Sequence, residues 1–142
     1  MLLPDVNVFV GAFRGDTERH AEYLGWLETH LSGTEPIGIS EIVLSSVIRI
    51  TTNHRVFRQP SRLATVLGFC SAVRHAPAAV ALRPGARNWD LFTDLCTAGG
   101  ASGNLVPDAY LAALALEHGA TLVTADRGMG RWPGVDVRHP LG

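Results

Sequence analysis

Four acids, Asp5, Glu41, Asp108 and Asp126, each stand where one regular pattern in the chain gives way to another. If the folded chain gathers them, they repel, and without compensation some take up protons. A hard divalent cation supplies that compensation, because it prefers oxygen ligands. Mg²⁺ is typically held by one or two carboxylates and keeps several waters. Two such ions roughly 4 Å apart suit in-line attack of water on a phosphodiester: one activates the water and the other steadies the leaving oxygen. Asn7, two residues after the first acid, and Thr124, two before the last, have the chemistry to orient carboxylates or a bound water. An aspartate at a helix start is also an ordinary cap. No single acid therefore decides the matter, and the weight lies on four at equivalent junctions.

Other chemistries find less support. His20, His30, His54, His75, His118 and His139 show no paired ligand spacing, and no Ser or Cys sits in a nucleophile motif. The glycine-rich stretch Ala98–Asn104 lacks the Gly-Lys-Ser/Thr ending of a phosphate-binding loop and reads as a linker. Cys70 and Cys96 lie among apolar residues of predicted helices, as free buried thiols do.

The elements that must position the acids alternate between strand and helix. Met1–Pro4 is an apolar run that enters Asp5, with a turn into a short helix beyond. Arg14-Gly-Asp16 is a loop whose Asp16 can cap the next helix, where Ala21, Leu24, Leu27 and Leu31 recur at helical spacing until Gly33. Ile37–Ile39 is a brief strand, and Ser40 is placed as an N-cap. From Glu41 the residues are β-branched, yet Glu41, Ser45, Arg49 and Thr52 fall roughly along one helical stripe, so a mostly buried helix is expected. A polar connector, Thr51–Pro60, leads to an amphipathic helix carrying Leu63, Val66, Leu67, Cys70 and Val73. Ala78–Leu82 reads as a strand, and Trp89, Phe92, Leu95 and Cys96 as the apolar face of a further helix. Pro107 reads as the opening of a buried helix with Asp108 in its first turn, where the helix dipole favours a carboxylate. Gly119 ends that helix, Thr121–Ala125 is a strand running into Asp126, and Val135–Arg138 is a last strand. The alternation predicts an α/β fold with a mostly parallel sheet covered by helices on both faces. All four acids are then expected at the sheet's carboxyl edge, where open α/β folds place ligands.

The net charge of −1 does not announce a nucleic-acid partner, but its distribution is uneven. No acid lies between Glu41 and Asp90, whereas Arg49, Arg55, Arg58, Arg62, Arg74, Arg83 and Arg87 do. A one-signed segment beside an acidic site suggests a basic rim for an anionic substrate. No apolar run is long enough to span a membrane and the N-terminus lacks a signal-peptide pattern, so a cytoplasmic protein is expected.

These residues resemble the PIN-domain ribonucleases and, within them, the VapC toxins of bacterial toxin–antitoxin pairs. Asp5-Val-Asn7 looks like the family's opening acid motif, Val106-Pro-Asp108-Ala-Tyr-Leu-Ala-Ala-Leu-Ala like its most recognisable helix, and Thr124-Ala-Asp126-Arg like its closing motif. Arg49-Ile-Thr-Thr-Asn-His-Arg-Val-Phe is similar to a VapC subgroup. The resemblance covers almost the whole chain and implies a single PIN domain over residues 1–142, with a three-layer α/β/α fold. It also implies an Mg²⁺- or Mn²⁺-dependent endoribonuclease that cuts structured RNA such as tRNA or rRNA, usually a homodimer silenced by a cognate VapB-type antitoxin. Carried onto this chain, Asp5 and Asp108 are the firmest metal ligands and Asp126 is next, with Asn7 and Thr124 in support. The family commonly carries a glutamate one turn into the helix after the second strand, where this chain has Ser45-Ser46; Glu41 either substitutes from the first turn or only caps. Arg49, Arg55, Arg58 and Arg62 are the expected RNA contacts, with Arg127 and Arg131 second, and Trp132 is placed either to stack on a base or to anchor its loop.

The rivals are a non-catalytic PIN-like module that binds RNA or protein, and a phosphatase-like hydrolase. A haloacid-dehalogenase-like phosphatase needs a second Asp where Asn7 stands. It and a two-component receiver domain also usually need a Lys, and the chain has none.

Overall fold

Apolar runs too short for helices become the strands of one sheet, and the longer amphipathic segments become the helices that cover it. The computed structural model describes residues 1–142. Strand β1 (Leu2–Pro4) leads into helix α1 (Val6–Phe13), followed by α2 (His20–Leu31), β2 (Ile37–Ile39), α3 (Glu41–Thr51) and α4 (Leu63–Arg74). Then come β3 (Ala79–Ala81), α5 (Asn88–Gly99), α6 (Leu105–His118), β4 (Thr121–Val123), a 3₁₀ helix (Arg127–Arg131) and β5 (Val137–Arg138). The sheet order is β3-β2-β1-β4-β5, and every pairing is parallel. The expected mostly parallel sheet is therefore fully parallel. Helix α1 packs on both α2 and α3, α3 packs on α4, and α5 packs on α6. Right-handed crossovers place these two groups on opposite faces, because the chain reverses direction across the sheet between β3 and β4.

The core lies between the layers. Leu2, Leu3, Leu122 and Val123 of the central strands are buried with Val8 and Phe9 of α1, Val47 of α3, and Leu111 to Ala115 of α6. Full burial of a side chain such as Phe9 or Leu122 contributes about 1.5–3 kcal/mol. The alanines at 109, 112, 113 and 115 are buried too, so α6 lies close against its neighbours. No helix is long and apolar enough to cross a membrane.

Several local expectations shift. Helix α6 begins at Leu105, two residues before Pro107. Proline is tolerated there because the first turn has no intrahelical N–H bonds to lose. Gly119 does end that helix, at φ 61°. Asp16 caps nothing: its carboxylate pairs with Arg14 at 2.6 Å, and α2 starts later, after Arg19. Ser40 holds the N-cap position of α3, but its side chain makes no capping hydrogen bond. Trp132 is buried, and its Cζ3 lies 2.6 Å from where a Cβ on Gly99 would stand. It anchors its loop against α5 and is not exposed for stacking on a base.

Candidate active site

Strand register brings the first two site residues together. The β1–β4 ladder pairs Leu2 with Thr121 and Pro4 with Val123, so the next pair is Asp5 opposite Thr124. The backbone continues the ladder, with Asp5 N–H donating to Val123 O at 2.9 Å. Asp5 is the N-cap of α1, where Oδ1 accepts from Val6 N–H at 2.7 Å, and its Oδ2 accepts from the Thr124 hydroxyl at 2.8 Å. Both carboxylate oxygens are thus oriented before any ligand arrives.

Asn7 locks the same corner. Its Nδ2 donates to Thr124 Oγ1 at 2.9 Å and lies 3.5 Å from Asp5 Oδ2, while its Oδ1 accepts from Ala125 N–H at 3.0 Å. Thr124 Oγ1 also accepts from Asp126 N–H at 3.1 Å. Asp126 in turn caps the 3₁₀ helix, with Oδ1 accepting from Gly128 N–H at 2.8 Å. Asn7 and Thr124 therefore meet at the Asp5 carboxylate, and Thr124 also holds the backbone of Asp126.

Asp108 completes the group from the first turn of α6. It lines a crevice of about 570 Å³ together with Asp5, Asp126, Asn7, Ser46 and Arg49. Burial pushes the Asp5 carboxyl above the usual aspartate range, against the pull of the Thr124 and Val6 donors; Asp126 adds to the rise. Burial likewise raises Asp108, and the charges of Asp5 and Asp126 raise it further, while Arg131 opposes them. The charge of Asp126 thus acts on both of the other acids. No three Asp, Glu, His or Cys side chains close into a ready-made cage. The acid donors of the crevice are all carboxylate oxygens, a set that would fit a hard cation better than a softer metal.

The sequence pattern of the PIN domain matches residues 2–134. The chain belongs to the PIN-domain family. It is 45% identical over 141 residues to the VapC ribonuclease Mb2897 of Mycobacterium bovis, which spans 99% of this chain and 96% of that protein. It is 38% identical over 142 residues to Ribonuclease VapC25 of Mycobacterium tuberculosis, covering 99% of this chain and all of that one. Among solved structures it superposes on Mycobacterium tuberculosis VapC20, described as a Sarcin-Ricin loop cleaving toxin, with TM-score 0.69 over 97% of this chain and 99% of that one. Identity to that protein is only 16%, so the likeness speaks for the fold. The same holds for VapBC2 from Rickettsia felis, at TM-score 0.68 and 20% identity, with 97% of each chain covered.

Within this PIN domain one expected member of the site is displaced. Glu41 lines neither the crevice nor its rim. It is exposed on the far side of β2, with Oε1 3.3 Å from Arg83 and 3.7 Å from Arg74. The turn of α3 explains this placement. β1 has β2 on one side and β4 on the other, so strand order alone does not separate Glu41 from Asp126; the phase of α3 does, because Ser46, Arg49 and Ile50 form the stripe that lines the crevice and Glu41 lies off it. As the first residue of α3, Glu41 turns toward Arg74 at the end of α4 and Arg83 just after β3. One turn further into α3, Ser46 is the residue that reaches the crevice, and it brings no charge.

The expected basic contacts divide as well. Arg49 lines the crevice. Arg55, Arg58 and Arg62 are exposed on the connector between α3 and α4 or at its end. Sequence reasoning missed the residue that holds this connector. Arg14 is largely buried, donates to Gln59 O at 2.8 Å and to Ser61 Oγ at 3.0 Å, and lies 4.1 Å from the centre of the Phe57 ring. Its neighbours in sequence, Gly15 and Asp16, signal only a turn, and nothing local reveals a partner 45 residues away.

Proposed function

We propose that this PIN domain is an endoribonuclease toxin. Asp5, Asp108 and Asp126 would hold Mg²⁺, or Mn²⁺ in its place, and the substrate would be a structured RNA of the tRNA or rRNA class. One observation carries the reading: three carboxylates from distant segments line one crevice, and Asp5 and Asp108 are held above their ordinary range by burial first and by neighbouring acid charges second. That arrangement is costly to ionise alone and is relieved by a hard cation. When bound, the ion supplies Lewis acidity and an activated water for attack on a phosphodiester. The names of the relatives, ribonucleases over nearly the full chain, support the same reaction.

The chain's own groups perform the rest. Thr124 and Asn7 fix the Asp5 carboxylate through direct hydrogen bonds, and such supporting contacts tune ligand orientation and affinity. Arg49 at the crevice wall and the exposed arginines of the connector attract the phosphates that flank the cut and offset the repulsion between RNA and the acids. Glu41 has no part in the chemistry.

A VapB-type antitoxin is the proposed partner. The groove between α3 and α4, about 320 Å³, is lined by Leu44, Ile48, Leu67 and Cys70, of which Leu67 stays exposed. An amphipathic segment laid there would cover that apolar surface. A homodimer is proposed on the family resemblance alone.

The test is cleavage of tRNA and rRNA by the purified chain, with cut ends mapped. Cutting is expected with Mg²⁺, to stop on chelation, and to vanish in Asp5→Asn. Cutting that survives in that variant would refute the assignment. One observation favours a second reading, a PIN-like module that binds RNA without cutting: the position nearest a fourth acid is Ser46. RNA binding with intact RNA in saturating Mg²⁺ would select it.

A further inference from the structure

A second cavity, about 450 Å³, opens across Asp126 from the acid crevice, and Asp126 is the one residue that lines both. Its character is the opposite of the crevice. Arg19, Arg127 and His139 face it, with Asp126 the only acidic side chain in its wall.

Each of these groups is set by its surroundings. Arg19 has φ 58°, the one non-glycine residue of the chain in the left-handed region. Such backbone is uncommon and persists where the surroundings hold it. Here the guanidinium grips Glu22 with two hydrogen bonds of 2.9 and 2.8 Å. Arg127 opens the 3₁₀ helix and makes no side-chain hydrogen bond or ion pair, so its charge is uncommitted. His139 accepts from Leu141 N–H through Nδ1 at 3.1 Å. That bond leaves Nε2 to carry a proton and donate. Arg131, at the other end of the same 3₁₀ helix, acts on Asp108 in the crevice.

We propose that this cavity binds the RNA phosphodiester adjoining the one under attack, so that the strand crosses Asp126 with one phosphate on each side. Arg127 supplies the charge, His139 Nε2 a directed donor, and Arg19 a second cation already partly neutralised. The inference rests on the endoribonuclease reading, which puts the scissile phosphate in the crevice.

The experiment measures binding of unfractionated tRNA to the full chain carrying Asp5→Asn, which prevents cutting, over a range of salt. A single phosphate contact accounts for about one unit in the slope of log affinity against log salt. Arg127→Ala is expected to weaken binding about five- to tenfold and to lower the slope by about 1, whereas Arg127→Lys keeps the slope. His139→Ala weakens binding about fivefold with the slope unchanged, as loss of one hydrogen bond does. Arg87→Ala, at the far end of α6 where Arg87 bonds Glu117 O, leaves both unchanged. Unaltered affinity and slope in the Arg127→Ala/His139→Ala double variant would overturn the proposal. So would displacement of the Arg127-dependent binding by AMP at equal phosphate concentration, which would assign the cavity to a mononucleotide. Mn²⁺ binding by the RNA-free wild-type chain, read by electron paramagnetic resonance, tests the acid centre separately. It is kept in Arg127→Ala, and its absence in wild type would overturn the nuclease reading whatever the salt slope.

Discussion

Thr124 donates its hydroxyl proton to Oδ2 of Asp5 at 2.8 Å, across 119 residues of sequence, because β1 and β4 run side by side and in register. The same hydroxyl oxygen accepts from Asn7 Nδ2 and from Asp126 N–H. One buried side chain therefore orients the first acid and the backbone of the last. Thr124→Val keeps the shape and removes all three bonds. It should lower metal affinity and RNA cleavage about 10- to 100-fold and destabilise the fold by about 1–3 kcal/mol. Thr124→Ser should restore most of both. Mn²⁺ titration and a cleavage assay on the two variants decide it; a Val variant with native affinity would show that the hydroxyl is dispensable.

Glu41 gives the opposite expectation. Its partners are exposed arginines, and exposed ion pairs contribute about 0–1 kcal/mol. Glu41→Ala should leave Mn²⁺ affinity and cleavage within about twofold of wild type. Asp126→Asn, measured beside it, should lose roughly tenfold or more. A large loss in Glu41→Ala would return that residue to the site.

The carboxyl of Asp108 sits above its ordinary range through burial first and the charges of Asp5 and Asp126 second. A raised value in the folded state means that folding favours the protonated form. Without metal, this contribution to stability is full below the unfolded aspartate range and is lost as pH rises through the raised value. Asp108→Asn removes the penalty. At neutral pH the metal-free variant should melt about 1–3 °C above wild type, and the gap should close as pH falls below the aspartate range. Mg²⁺ should reverse the order by stabilising wild type alone. Melting curves with chelator and with Mg²⁺ at several pH values test this, and a variant that melts lower in chelator at neutral pH would contradict it.

Arg14 should govern the connector that carries Arg55 and Arg58. Its hydrogen bonds to Gln59 O and Ser61 Oγ and its contact with Phe57 pin that segment from below. Arg14→Ala should cost about 1–3 kcal/mol, since charge-assisted bonds of a largely buried guanidinium are lost. It should also speed tryptic cleavage after Arg55 and Arg58, as local opening becomes easier. Mn²⁺ affinity should stay unchanged, because Arg14 does not line the crevice. Limited proteolysis with the same Mn²⁺ titration separates the two effects.

From the sequence alone, the alternation of elements, the parallel sheet and the junction positions of Asp5, Asp108 and Asp126 could all be read. Those properties follow from local periodicity and from the rule that successive parallel strands carry their ends to one edge. The side chains flanking the acids, Asn7 and Thr124, were legible by spacing for the same reason. Which edge-lying acids meet was decided only by the tertiary structure. Strand order is a long-range property: β4 inserts beside β1, which joins Asp126 to Asp5, while Glu41 meets Arg74 and Arg83 only because the end of α4 and the residues after β3 come beside the start of α3. The burial of Trp132 against Gly99, the grip of Arg14 on the connector and the cavity beyond Asp126 are likewise contacts between distant segments. Periodicity of 2 or 3.6 residues records which face of an element is covered, and carries no trace of which element covers it.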